Sequence, residues 1–234
     1  MKRALKFLLV ILLAMFAESF AMAEPADDAI IDRVRRIVEE VESASFPELK
    51  TTVIEIKLFD SPSDYFQSRF TFASFLFGKQ LRCLLKVNRK VFADGVPEDG
   101  LRAVIAHELG HALYYRSRNR LKLIGLVRLI GNGFTARFER GTDLEAIARD
   151  YADGLKSYRH WLYARIPVSK LAEKMRNYFS PEEIEAVALK LQSQPQILKS
   201  WRKHPPRSLP EIETSKISQI ILDRLCRPSW VLAD

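Results

Sequence analysis

The chain has 234 residues, of which 47% are hydrophobic and 28% are charged. These proportions are those of a globular protein and exclude a disordered chain, a collagen and a coiled-coil rod. The net charge of +8 permits an anionic partner, but no nucleic-acid-binding motif accompanies the basic residues, so we expect no nucleic acid. Cys83 and Cys226 form no CxxC motif, so any metal must be held by histidine and carboxylate.

The first 23 residues have the pattern of a secretory signal peptide. Basic residues precede an apolar run over 7–16, and small residues at 21–23 predict cleavage before Glu24. The run is too short to span a bilayer, which needs about 20 residues. We therefore expect export, to the periplasm or as a secreted or peripherally membrane-associated protein, with one domain over 24–234. An oxidising compartment would also permit a disulfide between the two cysteines, with two free thiols as the alternative.

Apolar periodicity predicts a small sheet in the first part of the mature chain. Helical spacing over 30–41 indicates an amphipathic helix that ends before Pro47. Alternation over 52–58 predicts a strand with one buried face. Two further β-prone runs, 70–77 and 81–87, are separated by a Gly-Lys-Gln turn. They predict an antiparallel hairpin.

The rest of the chain is predicted to be helical. A helix is expected over 97–116, because proline and two acidic residues open it. A long helix over 134–164 follows, then a helix opened by a capping box at Ser180, and a last helix over 210–225. The expected fold class is α+β, with a small antiparallel sheet, an active-site helix and a mainly helical C-terminal half.

An apolar segment over 121–130 overlaps a basic cluster made of Arg116, Arg118, Arg120 and Lys122. The segment is too short to cross a membrane. Two interpretations remain open: packing against the neighbouring helices, which we favour, or peripheral contact with an anionic membrane surface.

The predicted 97–116 helix carries the motif HExxH, with its histidines at His107 and His111. Residues four apart share one helical face. Both imidazoles can therefore bind one Zn²⁺, and Glu108 can act as general base on a water at the open coordination position. This pattern predicts a hydrolytic zinc site.

A catalytic zinc needs a third protein ligand, and the sequence offers three carboxylates. The metzincin pattern is excluded because Tyr114 and Ser117 occupy its further positions. Glu139 and Asp143 lie four residues apart, so they share a helical face, and Glu145 follows in the same charged stretch. Residue spacing leaves all three open as the third ligand.

Together, the two motifs resemble those of the gluzincin metallopeptidases, in particular the group of the prenyl-protein (CAAX) endopeptidases and their bacterial periplasmic relatives. The second motif of that group commonly reads ExEAD. Here Glu139 and Asp143 match its first and last positions, whereas Gly141 and Thr142 differ. The resemblance implies a zincin-like fold, Glu139 as third zinc ligand and Asp143 hydrogen-bonded to a ligand histidine. It also implies a zinc metallopeptidase acting on a peptide or protein, with Glu108 as the base.

Oxyanion stabilisation needs a hydrogen-bond donor, and four residues are candidates: His160, His204, Tyr151 and Tyr158. Spacing selects none of them. Two other classes compete with the peptidase: a non-catalytic zinc-binding envelope protein and a membrane-surface binding module. Glu108 favours the enzyme, because a structural zinc site needs only ligands.

Overall fold

The structure, a computed structural model, describes residues 24–70, 82–117 and 132–215. The predicted signal peptide, the apolar segment 121–130 and Cys226 lie outside these ranges. Export, the placement of that segment and the disulfide with Cys83 therefore remain predictions. Cys83 itself is buried in a strand. In the described ranges, no helix combines the length and the apolar character needed to cross a membrane.

Helices dominate the described residues, and the expected α+β class is confirmed at that level. The N-terminal part contains α1 (Glu24–Ser45), β1 (Val53–Phe59), β2 (Phe66–Phe70), β3 (Arg82–Asn88) and α2 (Glu98–Ser117). The C-terminal part contains α3 (Asn132–Ile147), α4 (Ala152–Tyr163), α5 (Val168–Asn177), α6 (Pro181–Ser193), α7 (Leu198–Trp201) and α8 (Leu209–Thr214).

The three described strands form a mixed sheet, so the prediction of an antiparallel sheet is wrong. Their order is β1-β3-β2, with β1 parallel to β3 and β2 antiparallel to β3. The chain reverses after β1 without pairing β2 to it, and β3 fills the gap between them. The loop between β1 and β2 is fixed there, because Asn88 Nδ2 donates to the carbonyls of Ser61 and Asp64 at 2.8 and 2.9 Å.

The predicted hairpin is tested only in part. Its second strand is found as β3, which does pair antiparallel with the preceding described strand. That strand, β2, ends at Phe70, where the predicted first strand begins. The remainder of that prediction, 71–77, lies outside the described residues.

Helix α2 is the central element, and its predicted range is confirmed to within one residue. It packs against α1, α3, α4 and β2. Leu101, Ile105 and Leu109 are at most 2% exposed, and most of the helix between 101 and 112 is buried. Such burial on all sides places the polar HExxH side chains inside the protein rather than on a solvated face.

The predicted helix over 134–164 is wrong, because the chain forms two helices, α3 and α4. Asp150 between them adopts a positive φ of 69°, a left-handed conformation that aspartate tolerates better than most residues. The turn lets α4 fold back along α2, where Gly154 lies against the backbone of Asp99. The apolar periodicity of the sequence continues through such a short turn, so it does not reveal the break between α3 and α4.

Two predictions concern the last helices. The capping box at Ser180 is confirmed: its hydroxyl accepts from Glu183 N at 3.2 Å, and its own N–H donates to Glu183 Oε2 at 2.9 Å. The helix predicted over 210–225 ends early, because α8 stops at Thr214 and Ser215 is no longer helical. Residues 216–225 lie outside the described ranges.

Two glycine substitutions test the packing of α4 on α2. A Cβ at Gly154 would lie 2.9 Å from the carbonyl carbon of Asp99 and 3.0 Å from Ala103 Cβ. Gly154→Ala should therefore lower the free energy of unfolding by about 1–3 kcal/mol. Gly141→Ala is the matched control, because its new Cβ meets only Pro205 at 3.7 Å. That change should be neutral or stabilising by about 1 kcal/mol. Equal urea midpoints for the two variants would contradict the close approach.

Candidate metal centre

Two histidines on α2 converge on one carboxylate of α3. Nε2 of His107 and Nε2 of His111 each lie 3.2 Å from Oε2 of Glu139. The histidines are 3% and 5% exposed, and the Glu139 side chain is 16% exposed. The structure therefore brings together three of the predicted site residues at the crossing of the two helices.

The donor atoms of these three residues fit a divalent metal ion. They all lie within 4.8 Å of one another. Two imidazole nitrogens and one carboxylate oxygen are the ligand set of many catalytic zinc sites, with metal–ligand distances of about 2.0–2.2 Å. Burial raises the pKa of Glu139, but the interactions with His111 and His107 outweigh it and lower the net value. The carboxylate is therefore ionised, as a metal ligand must be.

Glu108 lies on the same helix, one residue beyond the first histidine, and is only 7% exposed. Among the described residues its Oε2 has no hydrogen-bond partner, and neither has Nδ1 of His111. Burial is the main reason why the pKa of Glu108 is raised. A carboxyl group with a raised pKa, buried beside two imidazoles, is equipped to accept and return a proton.

Asp143 contacts His107 at Nδ1, the ring nitrogen that does not face Glu139. It is fully buried, and its Oδ1 lies 2.7 Å from Nδ1 of His107. This contact directs Nε2 of His107 towards Glu139 and fixes the tautomer of the ring. Asp143 thus takes the orienting position that the resemblance implied, with its oxygens turned away from the converging nitrogens.

A buried arginine that the sequence analysis missed compensates the charge of Asp143. Arg159 on α4 is 3% exposed, and its Nη2 donates to Oδ1 of Asp143 at 2.7 Å. The backbone N–H of Phe179 donates to Oδ2 at 2.9 Å. Burial alone would raise the pKa of Asp143, but Arg159 and His107 outweigh it and keep the carboxylate ionised. The sequence carried one clue, since a buried aspartate needs a cation nearby.

Glu145, the third carboxylate considered from sequence, lies apart from the histidines. It accepts hydrogen bonds from Arg202 at 2.6 and 2.9 Å, and Arg149 lies 3.7 Å away. Its carboxylate is therefore occupied by arginine at the surface between α3 and the segment after α7. It is not in the group of residues that can share one metal ion.

Three of the four predicted oxyanion donors lie elsewhere. His160 and His204 are exposed. Tyr151 shares a hydrogen bond of 3.0 Å with Ser45 at the end of α1. None of the three lines the cavity at Glu108.

The cavity beside Glu108 is small, and its lining combines aromatic and charged side chains. It has a volume of about 30 Å³ and is lined by Tyr158, the fourth predicted donor, and by Tyr178 and Lys174. The ring of Tyr178 lies 5.7 Å from that of His107. Burial is the main reason why the pKa values of both tyrosines are raised, so both hydroxyls remain donors. Tyr178 was missed because no spacing links a residue in the turn before the capping box to the motif on α2.

A larger cleft lies on the other side of the α2–α3 crossing. Its volume is about 620 Å³, and its lining includes Arg137, Phe138 and Lys203. Phe138 stands between this cleft and the metal centre, with its ring 4.6 Å from that of His111. Neither the histidines nor Glu108 line the cleft.

The chain matches no family model, no curated protein and no solved structure. The interpretation of the site therefore depends on its own residues and their geometry.

The contribution of the ion pair between Asp143 and Arg159 to stability can be tested by substitution. In metal-free protein, Arg159→Met should lower the free energy of unfolding by about 3–5 kcal/mol, because it leaves a buried carboxylate without its cation. The same change in an Asp143→Asn background should cost much less. Arg102→Met is the control, since Arg102 forms only exposed ion pairs and should lose about 0–1 kcal/mol. Additive losses in the double variant would contradict the coupling.

Proposed function

We propose that this protein is an exported zinc metallopeptidase that hydrolyses a peptide or protein substrate. His107, His111 and Glu139 would hold the zinc ion, and Glu108 would be the general base. The observation that carries the proposal is the convergence of two Nε2 atoms on one Glu139 oxygen, at 3.2 Å each. Beside them lies Glu108, whose buried Oε2 has no hydrogen-bond partner among the described residues.

Glu108 has the central chemical role in this proposal. A zinc ion in the site would supply Lewis-acid chemistry, polarising the scissile carbonyl and lowering the pKa of water. Glu108 takes a proton from the water that attacks the carbonyl carbon and delivers it to the departing amine nitrogen. Its raised pKa, due mainly to burial, suits a group that must both accept and release a proton.

The neighbouring side chains complete the proposed site. Asp143, paired with Arg159, holds His107 in the tautomer that presents Nε2. Tyr158 and Tyr178 are the proposed donors to the developing oxyanion, since both line the cavity at Glu108. A hydroxyl placed there stabilises the charge that appears only in the transition state.

A zincin-like arrangement is part of the same proposal. It is supported by the packing of α2 against β2, because β2 lies at an edge of the described sheet. Its second side pairs with no other described strand, and Phe66 at its start lines the cavity at Glu108. An extended peptide could add to that edge by main-chain hydrogen bonds and so pass the metal centre.

The two competing classes receive less support. A non-catalytic zinc protein needs the three ligands but gains nothing from burying an unpartnered Glu108, which opposes folding. A membrane-surface module would depend on the basic cluster, of which only Arg116 lies in the described residues. Arg116 donates to Thr51 at 2.6 Å, an intramolecular contact that does not call for a lipid.

Measurements of zinc affinity should distinguish the roles of the five carboxylate and imidazole positions. His107→Ala, His111→Ala and Glu139→Ala should each lose stoichiometric zinc, because two protein ligands are too few for a tight site. Asp143→Ala should weaken zinc binding about 10–100-fold, as expected for a residue that acts on a ligand. Competitive titration with a chromophoric chelator measures these affinities. Glu145→Ala is the control and should bind zinc like wild type, since Glu145 pairs with Arg202. Loss of zinc in Glu145→Ala with retention in Glu139→Ala would exchange the two assignments.

The catalytic role of Glu108 has its own test. Glu108→Gln should retain one zinc ion per chain and the wild-type unfolding transition, because the amide has nearly the same shape as the carboxyl group. Its hydrolysis of fluorescein-labelled casein should fall by at least about 100-fold, since an amide cannot take up the proton. Undiminished hydrolysis in the zinc-loaded variant would remove Glu108 from the mechanism. Wild-type protein that holds zinc but cleaves no peptide bond would support the non-catalytic class instead.

A further inference from the structure

The catalytic side of the metal centre is narrow. The cavity at Glu108 has a volume of about 30 Å³, which is room for about two water molecules. Glu108, His107 and His111 are each at most 7% exposed. The larger cleft does not reach Glu108. Among the described residues, the space beside the proposed base is therefore too small for a peptide in this conformation.

One side of the cavity is formed by a segment that is held firmly in place. It is the segment that joins β1 to β2, in which Ser63 and Tyr65 line the cavity together with Phe66, the first residue of β2. Tyr65 packs edge-on against Trp161, with 4.6 Å between ring centroids, and its hydroxyl donates to Asp94 at 2.5 Å. Together with the hydrogen bonds from Asn88, these contacts tie the segment to the sheet and to α4.

Helix α5 forms the opposite side of the cavity, and few of its residues are buried. Of its ten residues only Asn177 is buried, and the Oδ1 atom of that residue has no partner among the described residues. Val168 is 85% exposed and Met175 is 46% exposed. Because α5 buries little apolar surface and one unsatisfied acceptor, lifting it into water costs little free energy.

One ion pair joins the two sides across the cavity. Nζ of Lys174 on α5 lies 2.7 Å from Oδ1 of Asp64 in the firm segment. The side chains are 18% and 31% exposed, so solvent screens this pair less than a fully exposed one. The hydroxyls of Ser61 and Ser63 also donate to Asp64, at 3.3 Å each, and so hold the carboxylate towards Lys174.

We propose that α5 is a lid over the catalytic base and that the Lys174–Asp64 ion pair is its latch. Peptide substrates reach Glu108 only when this pair breaks and α5 lifts, turning about Pro167 at its start and Tyr178 at its end. The backbone N–H of Phe179 remains bound to Asp143, so the lid moves without releasing the support of His107. The proposal rests on the proposed peptidase function for its substrate but not for the motion itself.

This arrangement regulates the site by access. In the closed state, water can fill the cavity but a polypeptide cannot enter, so the protein does not cleave other chains indiscriminately. A substrate or partner that supplies a carboxylate to Lys174, or a cation to Asp64, exchanges one ion pair for another and opens the lid. Activity then depends on what binds at the latch as well as on the bond to be cleaved.

The latch is tested by hydrogen exchange and by hydrolysis in the same variants. In Lys174→Met, amide exchange within α5 should be about tenfold faster than in wild type, and kcat/KM for labelled casein should rise by a similar factor. Lys174→Arg should restore both, because it keeps the cation. Lys170→Met is the matched control on the same helix, since the ion pair of Lys170 among the described residues is an exposed one with Glu173. Wild-type exchange in Lys174→Met, equal to that of Lys170→Met, would overturn the lid.

Locking the lid gives a complementary result. With Cys83 and Cys226 both changed to Ser, Asp64→Cys and Lys174→Cys can be joined by a short bismaleimide. The joined protein should retain its zinc and lose casein hydrolysis, whereas the same protein treated with N-ethylmaleimide should remain active. Full activity in the joined protein would overturn the lid. Exchange of α5 is measured whether or not any peptide bond is cleaved, so failure of the peptidase proposal and failure of the lid are distinguishable.

Discussion

The buried carboxylate of Asp143 is the interaction on which the rest of the site depends. It lies on α3 and is bound by a histidine of α2, an arginine of α4 and the backbone N–H of Phe179 between α5 and α6. Four parts of the chain therefore meet at one charge that water does not reach. Each partner is required, because a buried carboxylate is stable only when its oxygens are paired. The orientation of His107 follows from this arrangement.

Close helix packing sets the geometry around that charge. At the α2–α3 crossing, Gly110 packs on Thr142, whose side chain would be in ordinary van der Waals contact, at 3.5 Å, with an added Cβ. At the α2–α4 contact, Gly154 allows a still closer approach to Asp99. The first contact brings Glu139 within reach of both histidines, and the second brings Arg159 within reach of Asp143. The packing at these two crossings thus determines where the polar groups of three helices meet, and the one at Gly154 requires a residue without a side chain.

Sequence reasoning reached the parts of the structure that depend on local pattern. It predicted α1, α2, β1 and β3 because their apolar periodicity reports which face is buried, and it predicted the capping box because both partners lie within four residues. It proposed His107, His111 and Glu139 as one group, and the structure brings them together. It failed on the direction of β1 relative to β3, because alternation carries no information about pairing.

The other features that were not predicted are likewise not marked by any local pattern of residues. The break at Asp150 is a single left-handed residue, and no periodicity marks it. Arg159 and Tyr178 reach the site from α4 and from the turn after α5, so their roles depend on how distant elements pack. Local sequence pattern does not show which side chains of distant elements will pack at the site.

The contacts of Asp143 also determine how much of the chain must be present before the site can form. Both histidines lie before residue 112, and Glu139 follows by residue 140, yet Arg159 and the N–H of Phe179 come later in the chain. A growing or emerging chain therefore exposes the histidines well before the charge that orients one of them is compensated. During that interval the imidazoles are present without their final geometry. The site is thus complete only when residues more than 60 positions beyond the histidines have taken their places.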